Sequence, residues 1–309
     1  MRAPFSRRRA LTALRVAALV ALVAVALATP GFTSRPAILA LLTTLSFVGC
    51  IAVGMTFITL SGNIMAFCLG ATAAVCAMAF MAALAWGLVP ALAVALALGV
   101  AATAAQGAVI GYFRANPIIV SIAALALITG LSNLAAGGRQ VYAAGPGAEV
   151  LTGKLWGAPI EVVFFAAVVV IGHVLLSHTR FGRHVYMVGS NLRAAEAAGI
   201  RAWRTVTGVY ALAGLFAATS GILLAARYSA GDMELGQGYD YDSVAGVLVG
   251  GTAIQGGEGS VLRTLAGMLV IATVQVLLIL WGVSKEWQYL LTGLIVLGAV
   301  MLHTLGDKR

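Results

Sequence analysis

Run after run of about twenty apolar residues with few or no charges governs what this chain can become, because that is the length an α-helix needs to cross the hydrocarbon of a bilayer. Segments at 13–29, 38–60, 64–85, 88–110, 117–136, 160–176, 205–226, 243–256, 261–281 and 288–303 fit that description. They predict an all-α polytopic membrane protein of about ten transmembrane helices. Only 9% of the residues are charged, against roughly 25% in a soluble domain, so the chain could not cover a water-facing surface. Ten spans use roughly 200 of the 309 residues and leave no room for a soluble domain of ordinary size. The eighth segment is the shortest in apolar length and is interrupted by Gly246, Gly250 and Gly251. It reads either as a full crossing or as a broken or re-entrant helix.

Charge sets the orientation. With the N-terminus inside and all ten segments crossing, the inside pieces are 1–15, 61–63, 111–116, 177–205, 255–263 and the tail, which together hold 14 Lys and Arg. The five outside are Arg35, Arg139, Lys154, Arg227 and Lys285. That asymmetry follows the positive-inside bias, and both termini are then cytoplasmic. The chain divides into a basic N-terminus (1–12), a membrane domain (13–303) and a short tail (304–309). Arg7, Arg8 and Arg9 ahead of an apolar run ending in Ala26-Leu27-Ala28 also resemble an export signal. An uncleaved first span flanked by arginine is the other reading.

The net charge of +9 is scattered over short loops rather than gathered into one basic surface, so no nucleic-acid partner is expected. No catalytic residues and no cofactor of this chain's own are expected. There is no G-x-x-x-x-G-K-[ST] to cradle a nucleotide, and His173, His178, His184 and His303 show no metal-ligand spacing. Cys50, Cys68 and Cys76 lie inside apolar runs, where free cysteine behaves as a small hydrophobe. No Asp, Glu, Lys or Arg falls near the centre of a proposed span, whereas ion-coupled transporters place such groups there. The driving force would then come from a partner, or the protein is a self-sufficient secondary transporter or channel for a small neutral solute.

Neutral polar residues remain inside the spans, where they can bond one helix to another or line a path for an uncharged polar solute. Gln106, Asn133 and Gln275, with their multivalent amides, and Ser121 are the candidates for such a path.

The longest inside loop, 177–205, carries five arginines and the sequence Gly189-Ser190-Asn191-Leu192-Arg193-Ala194-Ala195-Glu196-Ala197-Ala198-Gly199-Ile200. Asn191 can cap a short helix over 192–198, and Gly199 can end it in the left-handed conformation. Such a knob lies on the membrane either as a grip for a cytosolic partner or as an amphipathic helix held by anionic lipid. The glycines at Gly250, Gly251, Gly256, Gly257 and Gly259 read as a tight turn needing positive φ, with a mobile hinge as the alternative.

This loop resembles the coupling segment of the membrane permeases of bacterial ABC importers, in particular the ribose-type family that serves monosaccharides. The pattern Gly-x-Asn-x-x-Ala-Ala-x-x-x-Gly-Ile is met by Gly189, Asn191, Ala194, Ala195, Gly199 and Ile200, with Arg193 and Glu196 in the same segment. A second match runs from Gly250-Gly251-Thr252 through Gly256-Gly257-Glu258-Gly259-Ser260, and a third is Asn116-Pro117 with Gly130 and Gly137-Gly138. Together they span nearly the whole chain. Two departures stand out. The family's Gly-Gly-Ile-Asp-Leu-Ser-Val-Gly is here Gly62-Asn63-Ile64-Met65-Ala66-Phe67-Cys68-Leu69, with Met65 for the acid and Phe67 for the serine, and Arg263 replaces a glycine.

The resemblance implies a permease in the bacterial inner membrane that imports a small polar solute, a monosaccharide. Its implied partners are two cytosolic ATPase subunits holding ATP and Mg, an extracytoplasmic solute-binding protein and a second permease copy or paralogue. The acidic outside loop 232–242, with Tyr239 and Tyr241, is then either a contact for the delivering protein or a solvated loop.

Overall fold

A computed structural model describes residues 20–63, 65–155 and 157–307 of the chain. The basic N-terminus and the export-signal motif fall almost wholly outside the described residues. The elements are α1 (described over 20–28), α2 (Arg35–Leu60), α3 (Leu69–Ala83), α4 (Leu88–Phe113), α5 (Pro117–Ala136), α6 (Ile160–His178), α7 (Arg180–Ser190), α8 (Leu192–Ala197), α9 (Ala202–Tyr228), α10 (Tyr239–Val249), α11 (Val261–Leu280) and α12 (Lys285–Asp307). Two short antiparallel ribbons accompany them: β1 (Val141–Tyr142) pairs with β4 (Ala230–Gly231), and β2 (Lys154–Leu155) pairs with β3 (Ala158–Pro159).

Among the described residues seven helices are long and apolar enough to cross a membrane: α2, α3 with its 3-10 extension to Trp86, α4, α5, α6, α9 and α11. The expectation of about ten is therefore not reached by the helices that qualify. The eighth segment differs most. Its helix starts at Tyr239 and stops at Val249, giving 11 residues and a length of about 16 Å, half of a bilayer core. Gly251, at φ +83, turns the chain out of the helix there. The third segment also shortens, because residues 65–68 are not helical and α3 begins only at Leu69. Uniformly apolar sequence hides such a break, since a segment hydrophobic all round carries no periodicity to lose.

Helix α9 runs through the middle of the bundle against α2, α3 and α4, and most of its apolar side chains are buried. Small residues permit this closeness, as expected where lipid gives helices no hydrophobic reason to associate. A methyl group on Gly54 would sit 2.9 Å from the Ala213 Cα, and one on Gly107 would sit 2.6 Å from the Tyr210 Cβ. Ser220 donates to the Phe47 carbonyl at 2.8 Å, and the Thr56 and Thr264 hydroxyls meet at 2.7 Å between α2 and α11. By contrast α5 turns Ile119, Ile122, Leu127, Leu131 and Leu134 outward. Strand pairing closes the bundle at the end opposite the arginine-rich loop.

Candidate coupling face and interior node

Four of the pieces read from charge as inside, 61–63, 111–116, 177–205 and 255–263, meet at one end of the bundle. The ends of α2 and α4, the α7–α8 junction and Gln255 enclose a cavity of about 310 Å³, lined in part by Ser61, Asn63, Arg114, Asn191, Glu196 and Gln255. Arg180, Arg183, Arg193, Arg201 and Arg204 lie on the α7–α9 stretch beside it, so this is the basic end.

The loop at 177–205 is more ordered than the sequence suggests. Thr179 caps α7 by accepting from Gly182 N, and Phe181, Val185 and Val188 turn into the core. That apolar spacing was legible and marks an amphipathic helix. Asn191 then caps α8 by accepting from Ala194 N at 3.0 Å. Gly199, at φ +82, ends it, with Ile200 N reaching back to the Ala195 carbonyl at 3.0 Å. Ala195 is buried, whereas Arg193, Ala194 and Glu196 face outward.

Three backbones cross directly behind α8. Gly257 N donates to the Leu60 carbonyl at 3.0 Å, so the glycine turn is hydrogen-bonded to the end of α2. A methyl group on Gly189 would overlap that same carbonyl and lie 2.8 Å from Gly257 N. One on Gly256 would lie 2.6 Å from Gly62 Cα and Gly62 N. Gly251, Gly256, Gly257 and Gly259 all have positive φ, whereas Gly250, at φ −64, completes the end of α10. Tyr186 on α7 donates to the Gly259 carbonyl at 2.8 Å. Burial raises its phenol above the ordinary value, against the nearby Arg263, so it stays a neutral donor. On the other flank Arg114 grips Glu196 with two bonds of 2.8 and 3.0 Å, joining α8 to the end of α4.

The four path candidates are not brought together. Gln106 is buried and accepts from the Cys68 thiol, whereas Ser121 on α5 is buried and bonded to its own helix at Ile118. Asn133 lies at the opposite end in a second cavity with Arg139, Asp232 and Glu234. Gln275 on α11 bonds the buried Asp242.

Asp242 exposes a correction. The sequence reading put Asp240 and Asp242 in an outside loop, but α10 begins inside the bundle and carries both. Asp240 accepts from Gly70 N at 2.9 Å, at the first turn of α3. Gly70 and Gly236 are in backbone contact there, so two helix N-termini abut. Cys68, just before that break, bonds Gln106, which lies seven residues, about 10 Å, from the basic end of α4. A carboxylate between two helix N-termini complements both dipoles, which is how it is held so deep.

Residues 37–300 match the family described as "Branched-chain amino acid transport system / permease component". The chain belongs to that family of permease components. It is 32% identical over 288 residues to the ribose import permease protein RbsC of Bacillus subtilis, covering 92% of this chain and 89% of that protein. It is 30% identical over 295 residues to RbsC of Escherichia coli K12, covering 93% and 91%. Against the L-arabinose transport system permease protein AraH of Escherichia coli K12 it is 31% identical over 204 residues, 66% of this chain and 62% of that one. No solved structure matches. As a permease component the chain is a transport subunit, a multi-pass protein of the inner membrane. Within it, the roles of Arg114, Tyr186 and Gly62 were not read from the sequence, since each acquires its role only through a contact far away in the chain.

Proposed function

We propose that this permease carries a neutral monosaccharide, of the pentose class named for its relatives, inward across the membrane, driven by ATPase subunits that grip α8 at the basic end. The basic end is the cytoplasmic face, both termini lie on that side, and ATP with Mg acts on the partner subunits. A solute-binding protein delivers from the opposite end, and a second permease copy completes the assembly along the outward apolar faces. The half-length α10 is a broken element that does not cross alone.

The observation that carries this is the glycine junction. Because Gly189, Leu60 and Gly257 are in backbone contact, a push on α8 reaches α2 and the α10–α11 loop without passing through flexible side chains. No covalent chemistry is needed; the permease has to bind its partners differently in two conformations. Reconstitution tests it: vesicles holding the chain, its ATPase subunits and the binding protein accumulate pentose only with ATP. Uptake by the purified chain alone, without nucleotide, would show the proposal to be wrong.

The interior pair Asp240 and Asp242 favours one other reading, a proton-coupled transporter that needs no ATPase. Asp242 is buried and engaged by Gln275, which fits a structural role better. Uptake abolished by a protonophore but indifferent to ATP would select that alternative.

A further inference from the structure

Where α3 and α10 both begin inside the bundle, one aromatic ring comes from each break. Phe67 and Tyr241 stand with ring centroids 6.4 Å apart and planes inclined by 48°. Phe67 is half-buried, whereas Tyr241 is 63% exposed. Asp240 precedes Tyr241 and is itself only partly covered, its carboxylate accepting from the backbone N–H groups of Gly70 and Leu69. An ionised carboxylate has about four acceptor positions, so capacity remains.

The height of this pair decides what faces it. Tyr241 lies eight residues, about 12 Å, above the basic end of α10. At such a depth hydrocarbon would leave the phenol without a hydrogen-bond partner and would meet a carboxylate, and both are costly. Polar groups inside a membrane protein face a water-filled cavity or the bundle interior. Helices broken at mid-depth are where transporters hold solutes, because the irregular backbone there must line a cavity. A ring edge and face beside a hydroxyl acceptor suit one class of guest. A sugar offers a C–H face for the ring and hydroxyl donors for the carboxylate.

We propose that Phe67 and Tyr241 form the stacking wall of a solute station inside the membrane, with Asp240 accepting sugar hydroxyls; this deepens, and rests on, the pentose-import reading above. Phe67 would be specificity-determining, since its ring forms the wall together with Tyr241.

The test uses the complete importer in vesicles with D-ribose, D-xylose and L-arabinose as probes. Tyr241→Cys is expected to react with a permanently charged thiol reagent at least about tenfold faster than Val170→Cys, an outward residue of α6 that is 60% exposed, and pentose should slow the reaction. Cys50, Cys68 and Cys76 are buried and give a silent background. Tyr241→Ala should lower turnover about tenfold, the equivalent of one lost aromatic contact. Tyr241→Phe should retain it, and Phe67→Ser should shift the ratio of uptake among the three sugars. Amounts of each variant in the membrane are compared so that misfolding is seen directly. Reaction of Tyr241→Cys only with a lipid-soluble maleimide, or its spontaneous disulfide to a second copy, overturns the station by putting lipid or a partner there. Unchanged turnover and selectivity in every variant also overturns it. Failure of the unaltered complex to import any pentose with ATP sinks the import reading, which is a different result.

Discussion

Gly189→Ala should be the most damaging single methyl group on the coupling face. The added carbon would overlap the Leu60 carbonyl oxygen and sit 2.8 Å from Gly257 N. Both are backbone atoms, so no rotamer change relieves the clash. Relief requires α7 to separate from the end of α2, which breaks the 3.0 Å bond from Gly257 N to Leu60. Overpacking costs about 1–3 kcal/mol and the lost hydrogen bond about 1 kcal/mol. Gly199→Ala is the control: nothing lies within 4 Å of its added carbon, and only the left-handed φ of +82 is strained, at about 1–2 kcal/mol. In reconstituted vesicles Gly189→Ala should lower sugar imported per ATP hydrolysed, with the ATPase subunits still bound. Gly199→Ala should do so much less. Equal coupling ratios in Gly189→Ala and the unaltered protein would refute the junction as the link between α8 and the bundle.

Other expectations concern the same face. Glu196→Arg should abolish uptake while changing thermal stability by less than about 1 kcal/mol, because the pair with Arg114 is exposed. Adding Arg114→Glu should restore much of the uptake, and a double-mutant cycle on transport rates checks it. Gly199→Pro should abolish uptake with the protein still inserted, since it removes the N–H that meets the Glu196 carbonyl at 2.9 Å and cannot adopt positive φ. Tyr186→Phe should cost about 1 kcal/mol in a thermal melt. A raised phenol keeps the folded-state donor protonated, so this tie is fully present below pH 10, the ordinary tyrosine value, and is lost only as pH rises further through its folded value. The difference between Tyr186→Phe and the unaltered protein should therefore be flat from pH 6 to 9.

Much of the fold was legible wherever a break in sequence marked the end of an element. The fifth span, expected at 117–136, is Pro117–Ala136 because Asn116 caps its start, proline opens it and Gly137 turns out of it at φ +62. The short helix after Asn191 was visible for the same reason, through its cap and Gly199. Where composition is uniform the sequence was mute. Residues 65–68 read as part of the third span, yet they are not helical and Met65 is at φ +25. Asp240 and Asp242 were misplaced because charge was read as a loop signal. In the structure their cost is met by Gly70 N, by Gln275 and by the helix ends themselves. The junction of Gly62, Gly189 and Gly256 was unreadable in kind, since each glycine is explained by a backbone far away in the chain.

The side of the membrane on which α8 sits is the most direct measurement. Arg193→Cys and Arg201→Cys, on exposed positions within and just after α8, can be treated with a membrane-impermeant thiol reagent in right-side-out and inside-out vesicles. Labelling in inside-out vesicles alone, blocked once ATPase subunits are bound, is the predicted result. Labelling from the outer face would put the grip beyond the reach of any cytosolic nucleotide hydrolase and contradict the mechanism.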